Sequence, residues 1–285
     1  MRLTTLIENN PDKDNMLINE HGLSMFIETE KKNILFDTGQ SGDFIKNAQK
    51  LNIDLKCIDT IVLSHSHYDH CNGLKKLLEN YHIKPQLIVG NKFFENSSKY
   101  HFNPNADIRK CENIYRYNGI NFDESFLQSK DIKIQYVKEN MYKISEEVYV
   151  FTNFKKIHAF EKANEFLKIK KNENNYVTDF FEEEISMGIK TEKGMLILLG
   201  CSHPGFLNII DSIKEHSGEK ISGVIGGTHL VGADMSRIEE TAVYLKKLDL
   251  NLLGLSHCTG ENAAQILNKC SKYTYINRTG SCLEI

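Results

Sequence analysis

The sequence predicts an α/β protein in which two β-sheets pack face to face with helices on the outside. Three observations carry this expectation. Short strand-like runs open each half of the chain and then alternate with amphipathic, helix-length segments, the pattern of sheets covered by crossover helices. Hydrophobic residues make up 40% of the 285 positions and charged residues 26%, a globular balance able to bury a large core. No apolar run approaches the ~20 residues that a membrane-spanning helix needs.

Taken in order, residues 3–7, 23–28 and 33–36 read as strands, the second alternating apolar and polar positions. Phe44, Ile45, Ala48 and Leu51 recur at helical spacing over 41–51, behind the turn Asp37-Thr38-Gly39. A buried strand follows at 58–63, a helix at 74–81 with Leu74, Leu77 and Leu78 on one face, and a strand at 86–89. Over 91–182 the periodicity loosens, with strands expected only at 132–137 and 147–152. This reads as an insertion within a single domain spanning 1–285, either a lid over a functional face or a floppy surface loop. Order returns with paired strands at 185–190 and 195–199, turning at Glu192-Lys193-Gly194. Helices at 205–216, 236–248 and 262–269 then alternate with strands at 221–225 and 252–255, before final strands at 274–276 and 282–285.

Charge and cysteine content narrow the function. Lys+Arg at 35 against Asp+Glu at 38 gives a net charge of −3, without the positive excess of a nucleic-acid binder. The N-terminus turns polar too early for a secretory signal. The 7 cysteines are scattered with no C-x-x-C spacing, which fits small buried residues in a reducing cytoplasm. A soluble cytoplasmic protein acting on a small molecule is expected, with its oligomeric state open.

The strongest chemical signal is Ser64-His65-Ser66-His67-Tyr68-Asp69-His70, directly after an apolar strand. Three imidazoles and a carboxylate within six positions suit Zn²⁺, Fe²⁺ or Mn²⁺. On extended chain His65 and His67 share a side, while Asp69 and His70 follow the turn into a helix and can face a second cation. His203 and His257 each lie just past a buried strand, where α/β proteins collect active-site groups, and are expected to complete the ligand set. His229, in Gly226-Gly227-Thr228-His229, is a candidate ligand, proton donor or substrate contact, with a structural role as the alternative. Cys201 is a candidate ligand against the bland reading of an inert buried thiol. Asp37 can cap the helix after it or orient a ligand imidazole. His21, His82, His101, His158 and His216 lack such a context and are read as ordinary.

His65-x-His67-x-Asp69-His70, with Asp37-Thr38-Gly39 upstream and His257 near the end, resembles the metallo-β-lactamase superfamily. Thr4-Thr5-Leu6-Ile7-Glu8-Asn9, Glu20-His21-Gly22-Leu23-Ser24, Gly200-Cys201-Ser202-His203, Gly226-Gly227-Thr228-His229-Leu230 and His257-Cys258-Thr259-Gly260 resemble its dihydropterin ribofuranosyl-aminobenzene phosphate synthase-like branch. The resemblance implies a four-layer αβ/βα sandwich with a dinuclear metal site at the edge between its sheets. By this match His65 and His67 serve a first metal, and Asp69, His70 and His257 a second. Cys201 stands where the superfamily's hydrolases place a bridging Asp, and His203 replaces an intermediate His that 91–182 does not supply.

One or two divalent cations, Zn²⁺ first and Mn²⁺ or Fe²⁺ as alternatives, are therefore expected. The expected activity is metal-dependent hydrolysis of an anionic small molecule such as a phosphate ester, with Asp69 and His229 as catalytic groups. Rival readings are a lactone or thioester hydrolase, a pterin or sugar-phosphate synthase or transferase with an aromatic-walled pocket (Phe154, Phe160 or Phe180), and a metal-binding relative without turnover.

Overall fold

The computed structural model describes residues 1–107, 113–173 and 175–285; Cys111 lies outside them. The first sheet has the strand order β18-β1-β2-β3-β4-β5-β8. Its strands are β1 (Arg2–Ile7), β2 (Ser24–Glu28), β3 (Asn33–Phe36), β4 (Thr60–Val62), β5 (Gln86–Gly90), β8 (Ile134–Val137) and β18 (Cys282–Glu284). The second runs β17-β16-β15-β14-β13-β10-β9, built from β9 (Met141–Lys143), β10 (Val148–Phe151), β13 (Ser186–Thr191), β14 (Gly194–Leu199), β15 (Ile221–Gly227), β16 (Leu252–Ser256) and β17 (Tyr273–Ile276). Each sheet begins antiparallel and becomes parallel, over β3-β4-β5-β8 and over β14-β15-β16-β17. The parallel portions require crossovers, and the helices supply most of them.

Alternation along the strands makes the layers. Met25, Ile27, Phe36, Val62 and Ile88 of the first sheet meet Val150, Met187, Ile189, Leu196 and Leu198 of the second in a dry core between them. Leu6, Phe26, Leu35 and Leu87 point the other way, onto α1 (Phe44–Lys50) and α3 (Gly73–Asn80). Ile197, Leu199, Val224 and Leu253 likewise point outward onto α5 (Phe206–Ser217), α6 (Met235–Lys247) and α7 (Glu261–Leu267). The result is the four-layer αβ/βα sandwich. No described helix is long and apolar enough to cross a membrane. The six described cysteines are all free, Cys57 and Cys282 exposed and the others buried.

The expected elements form, with shifted ends. The first helix starts at Phe44 rather than 41 because Gly42 takes φ +80°. A short helix, α2 (Tyr68–Cys71), carries Asp69 and His70. The stretch 91–182 divides among several units. Its strands β8, β9 and β10 extend the two main sheets, and α4 (Glu124–Ser129) packs Leu127 into the first core. Four further strands, β6 (Lys99–Phe102), β7 (Tyr115–Tyr117), β11 (Leu167–Asn172) and β12 (Asn175–Thr178), form a separate antiparallel sheet in the order β12-β11-β6-β7.

Candidate metal centre

The residues singled out lie just beyond the C-terminal ends of parallel strands. Asp37 follows β3, His65 follows β4, Cys201 follows β14, His229 follows β15 and His257 follows β16. The parallel strands that share an end therefore gather these side chains at one edge. Gly200 lets the sheets meet there, since a Cβ on it would fall 2.2 Å from Ser64 Oγ.

Asp37 is fully buried and organises both halves of the histidine motif. Its Oδ1 accepts the Ser64 amide at 2.7 Å, and its Oδ2 accepts Ser64 Oγ at 2.8 Å and His70 Nδ1 at 2.6 Å. It thus orients a ligand-type imidazole and does not cap α1, whose first residue comes seven positions later. With its proton on Asp37, Ser64 Oγ accepts from His65 Nδ1 at 2.9 Å. That turns the lone pair of His65 Nε2 towards His67 Nδ1, 3.1 Å away. Asn118 meets His67 Nε2 at 3.3 Å, from just beyond β7.

The second set closes around a sulfur. His70 Nε2 faces His257 Nε2 at 3.2 Å and Cys201 Sγ at 3.2 Å. Asp69 Oδ2 lies 3.3 Å from His257 Nε2 and 3.8 Å from His70 Nε2. His257 Nδ1 donates to Asn9 Oδ1 at 2.8 Å, and its backbone N–H donates to Glu8 Oε1. The outer nitrogens of His70 and His257 being committed, their inner nitrogens face each other, a spacing that either a proton on His70 or a cation between them would relieve. Two nitrogens on a tetrahedral Zn²⁺ at ~2.0–2.1 Å lie about 3.3–3.4 Å apart. The donor set fits a divalent cation on both spacing and chemistry.

Cys201 joins the two sets. Its sulfur lies within 4.8 Å of donor atoms of His65 and His203, of His70 and His257, and of His229 and Cys258. Ser202 and His203 are held by Glu184, which accepts their amides at 2.8 and 3.1 Å. The His203 ring sits 4.8 Å from that of His65, 5.0 Å from that of His67 and 4.2 Å from that of His229. Neither His203 nitrogen has a protein partner, nor does His229 Nδ1.

Burial pushes the pKa values of His65, His67 and His203 well down, keeping them neutral and able to donate a lone pair. Burial also acts to lower His70, but Asp37 and Asp69 outweigh it and lift its pKa to about 9. In the metal-free protein a proton on His70 thus serves where a cation would. Burial opposes ionisation of Asp69, yet His70, His21 and His257 hold it well below the usual carboxylate range. Burial pushes the Cys201 thiol well up; an adjacent cation reverses that preference.

All the singled-out residues converge here. Sequence reasoning passed over several others. His21, half-exposed, places Nε2 3.1 Å from Asp69 Oδ2 and forms a donor group with Asp69 and His257. Glu8 and Asn9 lie in a run that carries the branch resemblance but were assigned no role, and Asn118 and Glu184 carry no local signal; the partners that give all four their place at the centre are remote in sequence. His158 pairs with Asp211 of α5 at 2.8 Å and joins no donor group among the described residues. Two clefts, of about 840 and 830 Å³, share no residue with the centre. A smaller cavity of about 450 Å³ borders it through Phe181, Glu184 and Pro204.

Residues 18–103 match the metallo-beta-lactamase superfamily model. The chain is 34% identical over 274 residues to the 7,8-dihydropterin-6-methyl-4-(beta-D-ribofuranosyl)-aminobenzene-5'-phosphate synthase of Methanocaldococcus jannaschii, covering 92% of this chain and 89% of that protein. The chain belongs to the metallo-β-lactamase superfamily. Its fold superposes on Tm1679, a metal-dependent hydrolase of the β-lactamase superfamily, with a TM-score of 0.83 and 27% identity over 100% of this chain and 99% of the other. Zn²⁺-bound PqqB from Methylobacterium extorquens shares the fold at a TM-score of 0.60 and 10% identity, over the full length of both chains. Metal binding is typical of this superfamily, and the buried His, Asp and Cys groups of this chain suit it.

Proposed function

We propose that the protein is a metal-dependent hydrolase with a dinuclear centre, zinc first, acting on an anionic small molecule such as a phosphate ester. The observation that carries the reading is the pair of imidazole nitrogens facing each other at 3.2 Å beside a sulfur common to both donor sets. His65, His67 and His203 would hold one cation, and Asp69, His70 and His257 the other, with Cys201 between. Such cations supply Lewis acidity and bring the pKa of water towards ~7.

The chain's own groups do the rest. Asp69, kept ionised, orients the attacking water through its carboxylate. His229, whose Nδ1 has no protein partner, would hand a proton to the leaving group. His21 at the half-exposed rim meets the entering substrate. The test is a side-by-side assay of a phosphomonoester, a phosphodiester, a lactone and a thioester with Zn²⁺ or Mn²⁺. H67A should abolish metal-dependent turnover, and unchanged turnover in that variant overturns the reading. Elemental analysis of protein purified without a metal-affinity tag should find two cations per chain.

A second reading, synthesis or transfer on a pterin or sugar phosphate, is favoured by the cavity beside the centre. Phe154, Phe180 and Phe181 form its wall, and Lys92 and Lys156 border it. The synthase name of the M. jannaschii relative points the same way. Binding of a reduced pterin that is lost in F154A, with no turnover of the four esters, would favour this reading over hydrolysis.

A further inference from the structure

The imidazoles of the centre differ in what orients them. His65 is fixed by Ser64, His67 by Asn118, His70 by Asp37 and His257 by Asn9, each through one ring nitrogen. A hydrogen-bonded outer partner is what normally fixes a ligand imidazole. His203 has none, and both of its nitrogens lack a protein partner. Its ring lies flat on Phe181 instead, with centroids 3.6 Å apart and planes 9° from parallel.

Phe181 is itself clamped. Its backbone takes φ +51°, a left-handed conformation unusual for a bulky residue. Its amide donates to Asp179 Oδ1 at 2.8 Å. His203 covers one face of the ring, so the Lys99 ammonium, 4.1 Å from the centroid, sits on the other. Lys99 is only 1% exposed. It pairs with Asp179 and, at 2.8 Å, with Glu183 Oε1. Glu183 Oε1 also accepts Ser66 Oγ at 3.3 Å, and Ser66 lies between His65 and His67. A closed circuit therefore runs from His203 through Phe181, Lys99 and Glu183 to the first histidine pair.

We propose that Phe181, clamped by Lys99 of the separate four-stranded sheet, is the positioning residue of the first metal set. Its flat face holds the His203 ring at the angle that a hydrogen bond sets for the other ligands. The separate sheet then completes the centre without supplying a ligand. This inference rests on the reading of His65, His67 and His203 as one metal set.

The test is competition between a chelator and the full-length, metal-free protein titrated with Zn²⁺. F181L should weaken one of two metal equivalents at least tenfold and leave the other unchanged. H203A should weaken the same equivalent, and the double variant should bind no worse than H203A alone, because removing the ligand removes what Phe181 positions. F181M keeps the volume without the flat face and carries the same test should F181L not fold. Full affinity in a folded F181L or F181M, beside a weakened H203A, overturns the proposal alone. Full affinity in H203A removes the metal-set reading, and the proposal with it.

Discussion

Asp37 shows how much one buried carboxylate governs. It takes three hydrogen bonds, from the Ser64 amide and hydroxyl and from His70, and it raises the His70 pKa against the effect of burial. A folded-state value of about 9 exceeds the unfolded ~6.5. In the metal-free protein this contribution to stability is complete below about pH 6.5 and is lost as pH rises through about 9. Thermal melts of metal-free protein across that window should show the midpoint falling with pH, and D37N should flatten most of the fall. An equal slope in both proteins would mean that Asp37 does not hold the proton. Cys201 offers a second residue-scale prediction, since thiolate favours Zn²⁺ and carboxylate favours Mn²⁺. C201D should lower the ratio of Zn²⁺ to Mn²⁺ affinity tenfold or more in competition titrations. The motif from His65 to His70 was legible in sequence because its donors crowd six positions. His21, Glu8 and Glu184 were not, since each acquires meaning only when a partner some 18 to 250 positions away closes on it.

Among the elements, the main strands and helices announce themselves by buried runs and helical spacing. The separate sheet does not, and its register explains why. Tyr100 stands opposite Lys168 and Tyr117, Phe102 opposite Tyr115, and Lys170 opposite Tyr176. One face of that sheet thus mixes aromatics with lysines and blurs the apolar–polar alternation that marks a strand. The irregular run before β11 is equally hard to read, yet it supports α5. Gly205 at the start of that helix has no side chain to cap it. Glu161 does so from the preceding loop, accepting the Leu207 and Asn208 amides at 2.8 Å each. E161A should cost about 1–2 kcal/mol in denaturant unfolding, with E161Q recovering part of it. A cost near zero would show that solvent caps the helix equally well.

At the scale of the whole molecule, the first half brings His65, His67, Asp69 and His70, and the second brings Cys201, His203 and His257. A ligand that binds the native state alone stabilises it by RT ln(1 + [L]/Kd), about 2.7 kcal/mol at a hundredfold excess over Kd. Removing bound metal with a chelator should therefore lower the melting midpoint by roughly 4–5 °C, and restored Zn²⁺ should recover it. An unchanged midpoint would mean that the halves close without help. The closure has a gauge, and the gauge is a missing atom. Ser64 and Gly200 touch where the sheets meet, and any methyl at 200 would have to displace the hydroxyl that steers His65. Enlarging that position would wedge the two sheets apart and part His65 from Cys201 and His203. A residue that never contacts metal would then set how closely the first donor set can draw together.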